Sequence, residues 1–331
     1  GSYNILEWSN GNTKKYVLIS KDVMYNEMVR ISDATASSLK DKQVCEFCDI
    51  SLTQALAKEL GSLKSTTVKL GDEADSLTVM ADTDKGTDGK TEFSSISMGG
   101  GNDTLKLQSV KGTDVDLGSG NNVLEVSAAA TSLTVKSGSG NDSVTIAAMT
   151  NSTVNLGAGN NVLDLAKGQG SSIVLGSGDD SVTLGNVTNV NVELGGGTDS
   201  LHITDATESL SVYNTKGSTN LTIDGGKLQQ GLNVYMGAGR DTLNVGSEDS
   251  AVVLNNAYIN VGRPVLYNKG KVDNAASGNV VNMYLQKVLA DSSSYKDLTV
   301  GIAGNVSSGN IQMITPVDIP SGQSALMNMQ L

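Results

Sequence analysis

The residues best placed to do chemistry in this chain are aspartates and asparagines that return at a nearly fixed interval behind paired glycines. Asp103, Asn122, Asp142, Asn161, Asp180, Asp199 and Asp241 each close a Gly-x-Gly-x step. They stand in MGGGNDTLKL from Met98, LGSGNNVLEV from Leu117, SGSGNDSVTI from Ser137, LGAGNNVLDL from Leu156, LGSGDDSVTL from Leu175, LGGGTDSLHI from Leu194 and MGAGRDTLNV from Met236. The first six copies start 19, 20, 19, 19 and 19 residues apart, the seventh 42 further on, and an eroded copy, LGDEADSLTV, precedes them at Leu70. With 23 basic against 35 acidic residues the formal charge is −12. That balance argues against binding nucleic acid or anionic membranes through bulk charge and makes acidic turns that attract cations the natural expectation.

Other reactive side chains are few. Cys45 and Cys48 form a lone CxxC before the repeats. A tetrahedral zinc site needs four ligands and the single histidine, His202, lies far away in sequence, so two buried thiols or a local disulfide is the expectation. His202 falls between inward Leu201 and Ile203 and reads as a solvated surface residue without a nucleophile motif around it. A Ser/His/Asp triad has no other support. Carboxylate pairs of the glycosidase kind are abundant, but the aromatic platforms of carbohydrate clefts are not visible in the linear sequence: there is one tryptophan, Trp8, and most of the nine tyrosines lie outside the regular repeats.

The elements that carry the turns are short strands. After each turn, apolar residues sit two apart: Leu105/Leu107, Leu124/Val126, Val144/Ile146, Leu163/Leu165, Val182/Leu184, Leu201/Ile203, Leu221/Ile223 and Leu243/Val245. Period two is a strand with one buried face. A second set precedes the next turn, as in Val115/Leu117, Leu133/Val135, Val154/Leu156 and Ile173/Leu175. Two strands and two turns make one coil, with the edge opposite the glycines irregular (AAATS, KGQGSS, GNVTN). No coil buries its apolar face alone, so coils must stack and share Leu, Val and Ile ladders. The expected fold is all-β, a right-handed parallel β-solenoid of about nine coils over residues 67–255. A cap or small subdomain, partly helical through SLTQALAKELG (Ser51 to Gly61), occupies 1–66, and a β-rich cap or terminal coils occupy 256–331. The chain has no run of 18 apolar residues, so no membrane-spanning helix is expected. The opening Gly1-Ser2 reads as a cloning scar in place of an initiator methionine.

MGGGNDTLK and LGSGDDSVT resemble the GGxGxDxUx nonapeptide of RTX proteins, secreted bacterial proteins whose parallel β-rolls bind calcium; the likeness covers roughly residues 70 to 255. The resemblance implies that stacked turns hold calcium, a hard cation that takes six to eight oxygen ligands, through Asp103, Asn122, Asp142, Asn161, Asp180, Asp199 and Asp241. This chain departs from the pattern in three ways. The motif's first glycine is replaced by Met98, Leu117, Ser137, Leu156, Leu175, Leu194 and Met236. Only one such turn occurs per coil, so one row of sites is the most that can form. Asn122 and Asn161 remove carboxylates from alternate turns. Only Asp180 and Asp199, with Asp179 nearby, pair two carboxylates on successive turns, which makes them the best single metal site. Lys216 and Arg240 are placed to end the row with fixed cations. The alternative is a metal-free ladder of stacked Asn and Asp side chains hydrogen-bonded to each other and to the turns.

The functional expectation is a non-enzymatic, secreted or bacterial cell-surface module, such as part of an adhesin or S-layer, stabilised by calcium. Glycans or neighbouring surface proteins are its expected partners, with no nucleic acid and no membrane insertion. Alternatives are a glycan-binding or polysaccharide-processing β-helix and a viral fibre or spike segment.

Overall fold

In the computed structural model, side chains are described for residues 67–79, 94–214, 216–247, 249–254, 256–261 and 279–283. Further strands are described by backbone alone, among them 3–10, 13–20, 28–31, 44–46, 49–51, 57–60, 62–64, 83–84, 284–286, 298–302, 306–314 and 327–330. The chain divides into two compact units, Gly1–Gly157 and Ala158–Leu331. Parallel strands stack into a β-solenoid of about eight turns, and no helix occurs among the described residues.

In the first unit three parallel arrays run side by side. One joins Ala57–Leu60, Ser76–Val79, Thr104–Leu107, the start of Val123–Lys136 and Ser143–Thr150. A second joins Val44–Glu46, Ser62–Lys64, Thr83–Asp84, Val110–Asp116 and the middle of Val123–Lys136. The third joins Asp49–Ser51, Thr67–Lys69, Ser94–Ser97, the end of Val110–Asp116 and the end of Val123–Lys136, and finishes at Thr153–Asn155. Among the described residues of this unit, antiparallel pairing is confined to Tyr3–Asn10, Thr13–Ser20 and Met28–Ile31.

The second unit repeats the plan. Val162–Gln169, Ser181–Gly195, Thr198–Ile203, Ser218–Ile223, Thr242–Val245, Asn279–Gln286 and Val306–Ile314 form one parallel stack. Another runs from Ser172–Val174 through the end of Ser181–Gly195, Thr207–Asn214, Asn233–Tyr235, Tyr258–Val261 and Leu298–Ile302 to Met327–Gln330.

Two expectations are corrected. Ala57–Leu60, read as part of an amphipathic helix, is a strand in register with Ser76–Val79. Its Leu56/Leu60 spacing fits a helix locally, but a neighbouring strand offers a full parallel ladder, and such tertiary pairing overrides weak local preference. The edge read as irregular is a third strand array. Ala130 pairs with Met149 and Val187 with Thr207 on this side. Their inward side chains vary too much in type to form a visible apolar ladder.

The corner before the last strand of each coil is turned by one residue in the left-handed region: Gly112, Ser132 and Asn151 in the first unit; Gly170, Asn189, Ser209, Gly231 and Asn256 in the second. Glycine and asparagine tolerate this conformation most readily. The core is made of Leu, Val, Ile, Met and Ala, with no aromatic ring among the described residues.

Candidate functional site: the glycine and Asx turn

Each regular turn begins with glycines that nothing else replaces. Gly118 and Gly120 have φ of 77° and 112°. A Cβ on them would stand 1.6 Å from the Gly99 carbonyl oxygen and 1.8 Å from that of Gly101. Backbone therefore lies directly on backbone from coil to coil, closer than any side chain permits.

The residue after the second glycine and its successor then form two ladders. The outer one is exposed: the Asn121 N–H donates to Asn102 Oδ1 at 2.8 Å and the Asn141 N–H to Asn121 Oδ1 at 2.7 Å. In the second unit, Asp179 N–H donates to Asn160 Oδ1 at 2.9 Å and Thr198 N–H to Asp179 Oδ1 at 2.7 Å. The inner ladder is buried and runs the other way, each N–H donating to the following coil. Asp75 donates to Asp103, Asp103 to Asn122 and Asn122 to Asp142, at 2.7, 3.0 and 2.9 Å to Oδ1. In the second unit Asn161 donates to Asp180 and Asp180 to Asp199, at 2.7 and 3.0 Å, while Thr219 donates to Asp241 and Asp241 to Asn279, at 2.9 and 2.8 Å. Successive amides of one turn are thus fastened to the coils on either side, so backbone donors that a tight turn would otherwise orphan are paired.

Asn and Asp differ at the second side-chain atom. Asn122 and Asn161 donate through Nδ2 to the carbonyls of Gly120 and Gly159, both at 3.1 Å. Asp142 Oδ2 accepts the Ser137 hydroxyl at 2.6 Å, which gives a role to the serine that replaces leucine in that copy. Asp199 Oδ2 accepts from Asn214 Nδ2 at 3.1 Å. Asp103 Oδ2 and Asp180 Oδ2 are buried with no hydrogen-bond partner. Desolvation pushes both carboxyls up to about 6 against the lowering effect of the N–H each accepts, with Asp75 repelling Asp103 and Asp179 repelling Asp180. Asp199 is pushed to about 7, again chiefly by burial, with Asp180 and Asp179 adding repulsion.

Two ladder members and one brace were not recognised as site residues in the sequence. Asn279 and Asp75 stand two residues before the alternating pairs Val281/Met283 and Leu77/Val79, as Asp103 stands before Leu105/Leu107, and that offset identifies them. Asn214 carries no such signal. It serves the coil where Thr219 takes the aspartate's place, donating to Ser218 O and Thr219 Oγ1 while its Oδ1 accepts the N–H groups of Lys216 and Gly217.

For calcium the fit is incomplete. Within each unit the predicted carboxylates other than Asp179 lie on the inner ladder, yet each has an oxygen engaged by an N–H. Asp179 lies on the exposed ladder while Asp180 and Asp199 lie on the buried one. Among the described residues no group of three or more His, Cys, Asp or Glu side chains converges. His202 faces outward, with Nε2 2.8 Å from Asp224 Oδ1. Cys45 lies on Val44–Glu46, but its side chain and Cys48 fall outside the described residues. No described helix is long and apolar enough to cross a membrane. No family model, curated protein or solved structure matches this chain.

Proposed function

We propose that this β-solenoid is a non-enzymatic, secreted or cell-surface structural module, a spacer or adhesive scaffold whose turns are braced by hydrogen bonds from coil to coil. The observation that carries the reading is the pair of opposed Asx ladders: the side chains with the greatest chemical capacity are spent on fastening neighbouring coils. Acidic surface charge and the resemblance of the turns to secreted β-rolls support the extracellular setting.

A second reading, calcium held at the turns, is favoured by one feature. Asp180 and Asp199 stack two buried carboxyls on successive coils, and Asp180 Oδ2 has no donor. Thermal unfolding of chelator-treated protein separates the two. A midpoint unchanged by millimolar calcium or magnesium fits the hydrogen-bonded scaffold. A calcium-specific rise, lost in Asp180→Asn with Asp199→Asn, overturns it in favour of the metal ladder.

A further inference from the structure

The core of this protein holds no aromatic ring among the described residues, yet three tyrosines of the second unit lie on the outside, on successive coils. Tyr213 pairs in register with Tyr235, and Tyr258 sits diagonally beside it, opposite Asn233. The rings of Tyr213 and Tyr235 stack with centroids 5.6 Å apart and planes 15° apart; Tyr235 and Tyr258 are 5.5 Å apart and tilted by 48°. At this separation Tyr213 and Tyr235 are offset, and Tyr258 is tilted against Tyr235, so the rings do not fully cover one another. All three side chains are half-buried.

The neighbours on this face are polar. Glu193 precedes Tyr213 in the same column, Asn191, Ser211 and Asn233 form the adjacent one, and Asn260 pairs with Tyr235. Asn260 is 4% exposed, donates through Nδ2 to the Tyr258 hydroxyl at 3.1 Å, and has an Oδ1 without a hydrogen-bond partner. A buried amide acceptor left open beside aromatic rings is uncommon, and unlike the open carboxylate oxygens of Asp103 and Asp180 it lies outside the glycine turns.

We infer that the Tyr213, Tyr235, Tyr258 and Asn260 row is a binding platform for a neutral, extended polysaccharide running along the solenoid axis. Aromatic faces take the apolar C–H side of sugar rings, while phenols and amides meet their hydroxyls. Burial and the neighbouring phenols raise the Tyr235 pKa, so its hydroxyl stays a neutral donor. Successive coils repeat at about 4.8 Å, and a linear glycan likewise repeats one ring at a time, so one geometry can serve consecutive sugars. The chain's charge of −12 disfavours anionic polymers. Tyrosine is common at protein hot spots, but those sit in well-packed, desolvated pockets, whereas the positions beside this row carry Glu193, Asn191, Ser211 and Asn233, so a protein partner is the weaker match. The inference goes beyond the scaffold reading, which stands on the turn ladders and is tested by metal-independent unfolding whatever happens here.

Native electrophoresis of the full chain through gels containing hydroxyethyl cellulose, laminarin, galactomannan or dextran, with alginate as the anionic counterpart, tests it. At least one neutral polymer retards the wild-type protein. Tyr235→Ala reduces that retardation at least tenfold in apparent affinity, Tyr235→Phe retains most of it, and Thr183→Ala, in the other strand stack, leaves it unchanged. If Tyr235→Ala loses its β-sheet circular dichroism, Tyr213→Ala at the end of the stack carries the same expectation. Retardation by no neutral polymer, by alginate alone, or equally in the folded tyrosine variants overturns the platform and leaves the row as a stacking rib or a protein contact.

Discussion

Within a turn, asparagine can donate through its second side-chain atom to the turn's own carbonyl, whereas an aspartate's Oδ2 is partnered only where another side chain donates to it, as Ser137 does to Asp142 and Asn214 to Asp199. At Asn122 the side-chain amide accepts the preceding coil's Asp103 N–H and donates to its own turn's Gly120 carbonyl, and Asn161 Nδ2 donates likewise to Gly159. At Asp180 the carboxylate accepts the Asn161 N–H but cannot donate to its own turn's carbonyl, and its Oδ2 is buried without a hydrogen-bond partner. Asp180→Asn is therefore expected to add a bond to the turn and remove a buried charge, raising stability at pH 7 by about 1 kcal/mol, read as a higher midpoint in urea. Asp180→Ala is expected to act oppositely, since it strips the acceptor from the Asn161 N–H. The glycines leave no such freedom. Gly120→Ala meets both a left-handed φ and the carbonyl of Gly101, and a cost of more than about 2 kcal/mol is expected, measured in the same unfolding assay.

For the strands, energy resides in ladders of identical environment. Leu105, Leu124 and Val144 lie in register on adjacent coils and are fully buried. Leu124→Ala is expected to cost about 2–5 kcal/mol, because rigid coils on both sides limit collapse of the cavity. Outward Lys106 pairs with Glu125 at 3.3 Å on the surface, and replacing both by alanine is expected to cost under about 1 kcal/mol, because the pair is solvent-screened. Legibility in the sequence follows the same division. The apolar pairs and the GxG turns repeat strictly because every coil presents them to the same neighbours, so two of the three arrays and seven ladder positions can be read directly. The third array escapes because Ala130, Met149, Val187 and the hydrogen-bonded Thr207 and Gln229 face a part of the core where different sizes and even polar groups fit. Ala57–Leu60 escapes because its partner strand, Ser76–Val79, determines its conformation, and the apolar spacing within the segment does not. The tyrosine row is invisible linearly because it joins residues 22 and 23 positions apart in coils that depart from the 19-residue interval.

Across the whole molecule, stability is a sum over coils and their interfaces, so one kind of group repeated from coil to coil sets the response to solution conditions. Asp103 and Asp180 have folded pKa values raised to about 6, and Asp199 to about 7, from 3.8. A raised carboxyl pKa means that the folded chain holds protons the unfolded chain has released. Folding is then most favoured, as far as these groups are concerned, below about pH 4, and the advantage is lost as pH rises through 6 to 7. The overall charge of −12 acts in the same direction, because lowering the pH toward the isoelectric point near 4.5 relieves self-repulsion. Stability to urea is therefore expected to rise as the pH falls from 8 to 5, opposite to a protein whose aspartates are held by salt bridges. The triple replacement Asp103→Asn, Asp180→Asn, Asp199→Asn is expected to flatten most of that slope, and added salt to recover only the part due to surface repulsion, since buried groups are screened little. A slope of unfolding free energy against pH that is zero between 5 and 7, or that survives the triple replacement intact, would place the titrating groups outside the inner ladder.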